Sequence, residues 1–187
     1  MKTQAFNPFL PSYEYIPDAE PYVFGNRVYV YGSHDRFDGE DFCMNDYVCW
    51  SAPIDDLGAW KKDRVIYRSV QDPLNEDGTQ HLFAPDVQIG EDGRYYLFYC
   101  LHRSPTVSVA VCDEPAGEYQ FYGHIRYADG TLYGQKRGDV FNFDPGVLKD
   151  DDGRIYLYTG LSYLKDAPMR KYLAGMFQID GSYCVEL

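Results

Sequence analysis

The sequence predicts an all-β fold of the propeller type, in which each repeat contributes one small sheet, or blade. The first observation behind this is a layout that occurs three times: a carboxylate beside a proline, an apolar strand, a tight turn, and a second strand rich in Tyr and β-branched residues. It runs through Glu20-Pro21-Tyr22-Val23-Phe24, Gly25-Asn26 and Arg27–Gly32, then through Ala84-Pro85-Asp86-Val87-Gln88-Ile89, Glu91-Asp92-Gly93 and Arg94–Tyr99. The third copy is Phe143-Asp144-Pro145-Gly146-Val147, Asp150–Gly153 and Arg154–Gly160. The second observation is spacing: the prolines stand at 21, 85 and 145, steps of 64 and 60 residues, room for four strands and their turns. The third is the lack of a competing pattern, because nowhere does a 3.6-residue apolar period hold for three turns.

In chain order, Asn7-Pro8-Phe9-Leu10-Pro11 and Pro17-Asp18-Ala19-Glu20-Pro21 read as a kinked lead-in. A residue before proline is driven towards extended backbone, so Glu20 should stand at a strand entrance. Val23–Gly32 is a hairpin across Gly25-Asn26, Ser33–Asn45 a polar loop, Tyr47–Ser51 a third strand, and Trp60 with Val65–Tyr67 an outer strand. Blade two takes Phe83–Ile89, Tyr95–Cys100, Val107–Cys112 and Tyr119–Tyr122; Val107–Val111 alternates as a two-faced strand should. Blade three takes Asp144–Leu148, Ile155–Thr159, Gly175–Ile179 as its third strand, and the start of an outer strand at Tyr183–Val185. The blades are thus expected at about 18–70, 83–126 and 142–187, in one repeat domain without a linker.

The 187 residues are 45% hydrophobic and 17% aromatic, enough for a packed core. A net charge of −12 excludes nucleic acid as the natural partner, since that partner needs Lys and Arg against phosphate. A neutral ligand such as a carbohydrate is compatible. Five cysteines with no CxxC pair are expected to be small buried thiols. No charged-then-apolar leader opens the chain and no apolar run approaches the ~18 residues of a membrane helix, so a cytoplasmic protein without a membrane partner is expected.

Innermost strands of a propeller surround its axis, and the loops entering them ring one mouth of the channel. Carboxylates heading successive innermost strands should therefore converge: Asp18 or Glu20, Asp86, and Asp144. Convergent carboxylates suit glycosidic cleavage, one protonating the leaving oxygen, another activating water, a third adjusting the first by like charge. His34 falls near the same mouth, and Trp50, Phe83 and Asp86 are candidates to line a sugar site. His81 and His102 carry less signal, and His124 reads as a surface residue. Asp150–Gly153 lacks the alternating acids of a calcium loop and reads as a solvated turn. Neither a cofactor nor a metal is implied.

With its opening Asn7–Pro11 and Pro17–Pro21, its Phe83-Ala84-Pro85-Asp86-Val87 and its Phe143-Asp144-Pro145 ahead of Asp150–Gly153, the chain resembles the family 43 glycoside hydrolases. The resemblance implies a five-bladed propeller, about three blades of which are present, and β-xylosidase or α-arabinofuranosidase activity with inversion. It implies a general base at Asp18 or Glu20, with residue type favouring Asp18, and a pKa-tuning role for Asp144. Asp86 would line the site or serve the structure. The family's general acid is a Glu about one repeat past the tuning Asp, beyond Leu187, so the chain reads as an N-terminal portion that is inactive alone. The alternative is a non-catalytic carbohydrate-binding or assembly fragment, whose open blade edges would pair with another chain. A fructan-cleaving relative is disfavoured, because the Asn-Asp-Pro-Asn-Gly opening is absent.

Overall fold

The computed structural model describes residues 7–162 and 167–187. Its strands form three antiparallel sheets. The first holds β1 (Glu20–Phe24), β2 (Arg27–Tyr31), β3 (Tyr47–Pro53) and β4 (Lys61–Tyr67) in that order. The second holds β5 (Leu82–Ile89), β6 (Tyr95–Leu101), β7 (Val107–Cys112) and β8 (Gln120–His124) in that order. The third pairs β9 (Gly146–Lys149) with β10 (Ile155–Gly160), and β10 with β11 (Ser182–Glu186). Strand β5 packs against β1 and β2 on one side and β9 on the other, so the leading strands of the three sheets lie side by side. This is the blade arrangement of a propeller, part of one.

The turns follow their residues. Phe24 pairs with Arg27 across Gly25-Asn26, and Gly25 takes φ +60, which a two-residue hairpin demands at its first central position and only Gly adopts freely. The other two turns are copies of each other. Gly90 N–H donates to the Arg94 carbonyl at 2.8 Å and Asp150 N–H to the Arg154 carbonyl at 2.9 Å. In each, the preceding acid holds the arginine, Arg94 Nε to Asp92 at 2.7 Å and Arg154 Nε to Asp152 at 2.6 Å.

Period-two alternation builds the core. Leu97, Tyr99 and Leu101 of β6 face the first sheet, joining Tyr31, Tyr47, Cys49, Ile66 and Tyr67. Phe98 and Cys100 face the third sheet, with Val107, Val109, Val147 and Leu157. Blade two is thus buried on both faces, which is why Tyr95–Leu101 is apolar without interruption.

Blade three departs from expectation. Gly175–Ile179 is not its third strand; Ser182–Glu186 takes that place, Leu157 facing Val185 in the register. A short helix, α1 (Pro168–Ala174), fills part of the connection, with Pro at its first turn and Leu173 as its one buried residue. Gln178 instead makes a lone parallel bridge to Val140, so this segment pairs with the connector before Asp144. Two turns of helix are too short to leave a sustained apolar period, and the alternation at 182–186 marks the third strand of the blade, not its outer one. The five cysteines are free; Cys43, Cys49 and Cys100 are buried as expected, but Cys184 is exposed. His124 is not a surface residue: its side chain is 8% exposed, and Nε2 lies 3.3 Å from the fully buried Asp72. Among the described residues no helix is long and apolar enough to cross a membrane.

Candidate active site

The chain enters its three leading strands through a shared backbone irregularity. Asp18, Ala84 and Asp144 lie in the left-handed region, at φ 52°, 41° and 48°. A non-glycine residue rarely stays there unless its surroundings hold it, and such strain gathers at functional sites. Ala84 and Asp144 also precede proline, which narrows their choices further. The effect at blade two is visible in the β5–β6 ladder, whose register shifts between Phe83 and Asp86. The same conformation distinguishes Asp18 from Glu20: it is Asp18 whose backbone matches Asp144, although Glu20, like Asp144, is the residue that precedes a proline.

These strand heads enclose one cleft of about 260 Å³, lined by Asp18, Glu20, Ala84, Pro85, Asp144, Pro145 and Gly146. Residues 126 positions apart are thereby brought to a single opening. Every ionisable group in that lining is a carboxyl. Burial first, then the negative charge of Asp18, raises Asp144 above its ordinary value. Glu20 is raised by burial, then by Asp86 and Asp18. Asp144 and Glu20 therefore keep their protons to higher pH than free carboxyls do.

Asp86 sits beneath the lining, 4% exposed. Its Oδ1 accepts the hydroxyl of Tyr22 in β1 and its own neighbour's Val87 N–H at 2.7 Å, while Oδ2 accepts Val147 N–H of blade three at 2.5 Å. One carboxylate thus joins all three blades. Its burial raises its pKa despite these donors, which act in the opposite direction.

The remaining candidates lie elsewhere. Phe83 stands between two rings, its centroid 5.5 Å from His102 and 5.5 Å from Phe143, next to the cleft through its bond to Ala84. His34 and Trp50 do not line the cleft. Trp50 is buried and its Nε1 donates to Glu14 at 3.0 Å; His34 Nδ1 donates to the Asp46 carbonyl at 2.8 Å, with Nε2 3.7 Å from Glu14. Glu14 also accepts Lys62 at 3.0 Å, so this trio clamps the lead-in onto blade one. Glu186 has a side chain 54% exposed and sits 3.9 Å from Arg154, away from the cleft.

Three supporting residues carry no motif and escape a sequence reading. Glu14 is one. Ser33, fully buried, accepts Ala84 N–H at 2.8 Å and so holds the strained residue in place. Asn142, also fully buried, donates to the Pro105 carbonyl at 3.1 Å and accepts the Thr159 hydroxyl at 2.8 Å, fixing the chain two residues before Asp144.

Comparison with known proteins points the same way. The family model for glycosyl hydrolases family 43 matches residues 7–178. A xylosidase/arabinosidase of Thermoclostridium stercorarium is 65% identical over 160 residues, covering 86% of this chain and 34% of that protein. A β-xylosidase of Xylanibacter ruminicola is 33% identical over 175 residues, covering 84% and 50%. The solved structure of CoXyl43, a β-xylosidase/α-arabinofuranosidase from a compost metagenome in complex with xylotriose, superposes with a TM-score of 0.60 at 27% identity, over 81% of this chain and 44% of that one. The GH43_1 enzyme of Xanthomonas citri complexed with xylose gives 0.67 at 23% identity, over 95% and 52%. These neighbours are five-bladed propellers, so the three sheets are part of one. The chain spans between a third and a half of the length of these curated relatives. It belongs to family 43 of the glycosyl hydrolases.

Proposed function

We propose that this chain supplies the base and the tuning carboxylate of a glycosidase that cleaves xylosyl or arabinofuranosyl linkages with inversion. The observation that carries the reading is the meeting of Asp18 and Asp144 in one cleft, each on a left-handed backbone at a strand head. Asp18 takes a proton from a water molecule as that water attacks the anomeric carbon. A carboxylic acid on the opposite face of the sugar protonates the departing oxygen, about 6.5–9.5 Å from the base in an inverting enzyme. Asp144 holds that acid's pKa up through its own charge. Among the described residues no third carboxyl with a separate approach to the cleft fills the acid's place, since Glu20 shares the wall of Asp18 and Asp86 is committed to Tyr22 and Val147. The chain alone is accordingly expected to leave aryl xylosides and arabinofuranosides intact.

The test joins residues 1–187 to the remainder of the Thermoclostridium stercorarium relative, 65% identical over the shared part. The expected result is hydrolysis of an aryl xyloside or arabinofuranoside whose first-formed anomer, seen by NMR, is inverted. Asp18→Asn should lower kcat about 10²- to 10⁴-fold, the usual weight of a general base. Undiminished turnover in Asp18→Asn, or hydrolysis by the 187-residue chain that Asp144→Asn abolishes, would overturn the assignment.

A further inference from the structure

Beside the cleft, on the side of Phe83, lies a second group of ligand-type side chains. Asp41, from the loop between β2 and β3, meets His81, just ahead of β5, and His102, just past β6. One carboxylate oxygen and one nitrogen of each imidazole all lie within 4.8 Å of one another. The two rings stack with centroids 5.8 Å apart at 26°, and the backbone fixes them, His102 N–H donating to the His81 carbonyl at 3.0 Å. His81 Nδ1 lies 3.0 Å from the Phe42 carbonyl. A carbonyl can only accept, so Nδ1 carries the proton of the neutral ring and Nε2 keeps its lone pair. Asp41 Oδ2 lies 3.7 Å from Nδ1, so the carboxylate must swing past the ring edge to share an ion with Nε2. Asp41 is held in turn by Phe42, whose N–H donates to Oδ1 at 2.8 Å and leaves Oδ2 towards His81.

We propose that Asp41, His81 and His102 form a site for a borderline divalent cation of the zinc class. Two imidazoles select against calcium and magnesium, which take oxygen ligands. Three protein ligands with one open position is a common zinc arrangement, its ligand atoms about 3.3 Å apart on the ion. Asp41, with a side chain 43% exposed on a loop, supplies the closing movement. The ion would tie the blade-one loop to blade two at the edge of the cleft, three residues from Ala84.

The test titrates the metal-free chain, in a Cys184→Ser background to remove the exposed thiol, with Co²⁺ and then Zn²⁺. One Co²⁺ per chain with strong visible absorption typical of tetrahedral coordination, displaced by Zn²⁺ but not by Ca²⁺, is expected. His81→Ala with His102→Ala should abolish it, Asp41→Asn should weaken it about tenfold, and Zn²⁺ should raise the melting temperature only where the histidines are intact. The paired variants His81→Gln and His102→Gln give the same reading if alanine disturbs the rings. No saturable binding below millimolar Zn²⁺, or stoichiometric binding that survives loss of both histidines, would overturn the proposal.

Discussion

Asp86 in the second sheet accepts the backbone N–H of Val147 in the third at 2.5 Å, 61 residues further along the chain. The same carboxylate accepts the Tyr22 hydroxyl from the first, so the blades meet at one buried charge-assisted junction. Asp86→Ala would leave three donors, the Tyr22 hydroxyl and the Val87 and Val147 N–H groups, without their acceptor. An unmet buried donor costs about 1–3 kcal/mol, so a loss on the order of 3 kcal/mol is expected, against about 1 kcal/mol for Tyr22→Phe. The double variant should cost less than the two together, because Tyr22 has nothing left to lose once its acceptor is gone. Urea unfolding measures all three. Additive losses would mean that the hydroxyl and the carboxylate act independently.

The cleft makes a prediction about pH with a definite sign. Asp144 and Glu20 have folded pKa values above the ordinary 3.8 and 4.5, because burial and neighbouring charge disfavour their ionised forms. In that window the folded chain holds more protons than the unfolded one, so stability is highest below those values and falls as pH rises through the folded pKa. Asp72 runs the other way: hydrogen bonds from His124, Tyr99 and the Leu74 N–H overcome its burial and lower its pKa, so its contribution is present above 3.8 and lost as pH falls through the folded value. Urea midpoints followed upward from pH 4 should decline less steeply in the Asp144→Asn, Glu20→Gln variant. A decline of unchanged slope would show that the fold does not raise these two acids.

What could be read from the residues divides along physical lines. Turns were legible because Gly25-Asn26, Asp92-Gly93 and Asp152-Gly153 act locally, and the repeat of those turns was enough to count blades. The convergence of Asp18 and Asp144 was legible from the same repeat. Residue type favours Asp18 over Glu20, but it does not announce the backbone angle, φ 52°, that Asp18 shares with Asp144 and Glu20 does not. Trp50 and His34 were drawn towards the cleft by their place in the chain, but Glu14 and the Asp46 carbonyl hold them elsewhere. The third strand of blade three was misplaced because the short helix at Pro168–Ala174 uses up chain that the repeat length assigned to a strand.

Ala84 holds the strained position of blade two without a carboxylate, at φ 41°. It isolates the cost of the backbone from any catalytic duty. The left-handed region costs an L residue about 1–2 kcal/mol, while glycine there costs only its extra freedom in the unfolded chain, about 0.5–1 kcal/mol. Ala84→Gly is expected to stabilise the chain by up to about 1 kcal/mol, and Ala84→Val, branched at Cβ, to destabilise it by about 2 kcal/mol. Thermal unfolding of the pair decides it. If glycine destabilised and valine were neutral, the strand heads would not be strained.

Gly32 bears on Asp18 directly, through space. A Cβ at that position would lie 2.5 Å from Ile16 Cγ2, 2.9 Å from the Pro17 carbonyl oxygen and 3.2 Å from Ala19 Cα, the three residues that flank Asp18. The Ile16 side chain can turn aside, but the Pro17 oxygen and Ala19 Cα are backbone, so Gly32→Ala must push the lead-in away from β2. Overpacking of this kind costs about 1–3 kcal/mol. Gly123→Ala in β8 is the matched control, since a Cβ there meets nothing within 4 Å. In the chain joined to the relative's remaining blades, Gly32→Ala should cut kcat while leaving a folded protein, because a base moved by even 1 Å loses on the order of 10²-fold in rate. Gly123→Ala should change neither stability nor turnover. Full activity in Gly32→Ala would mean that the position of Asp18 does not set the rate, and the base would then have to be sought at Glu20.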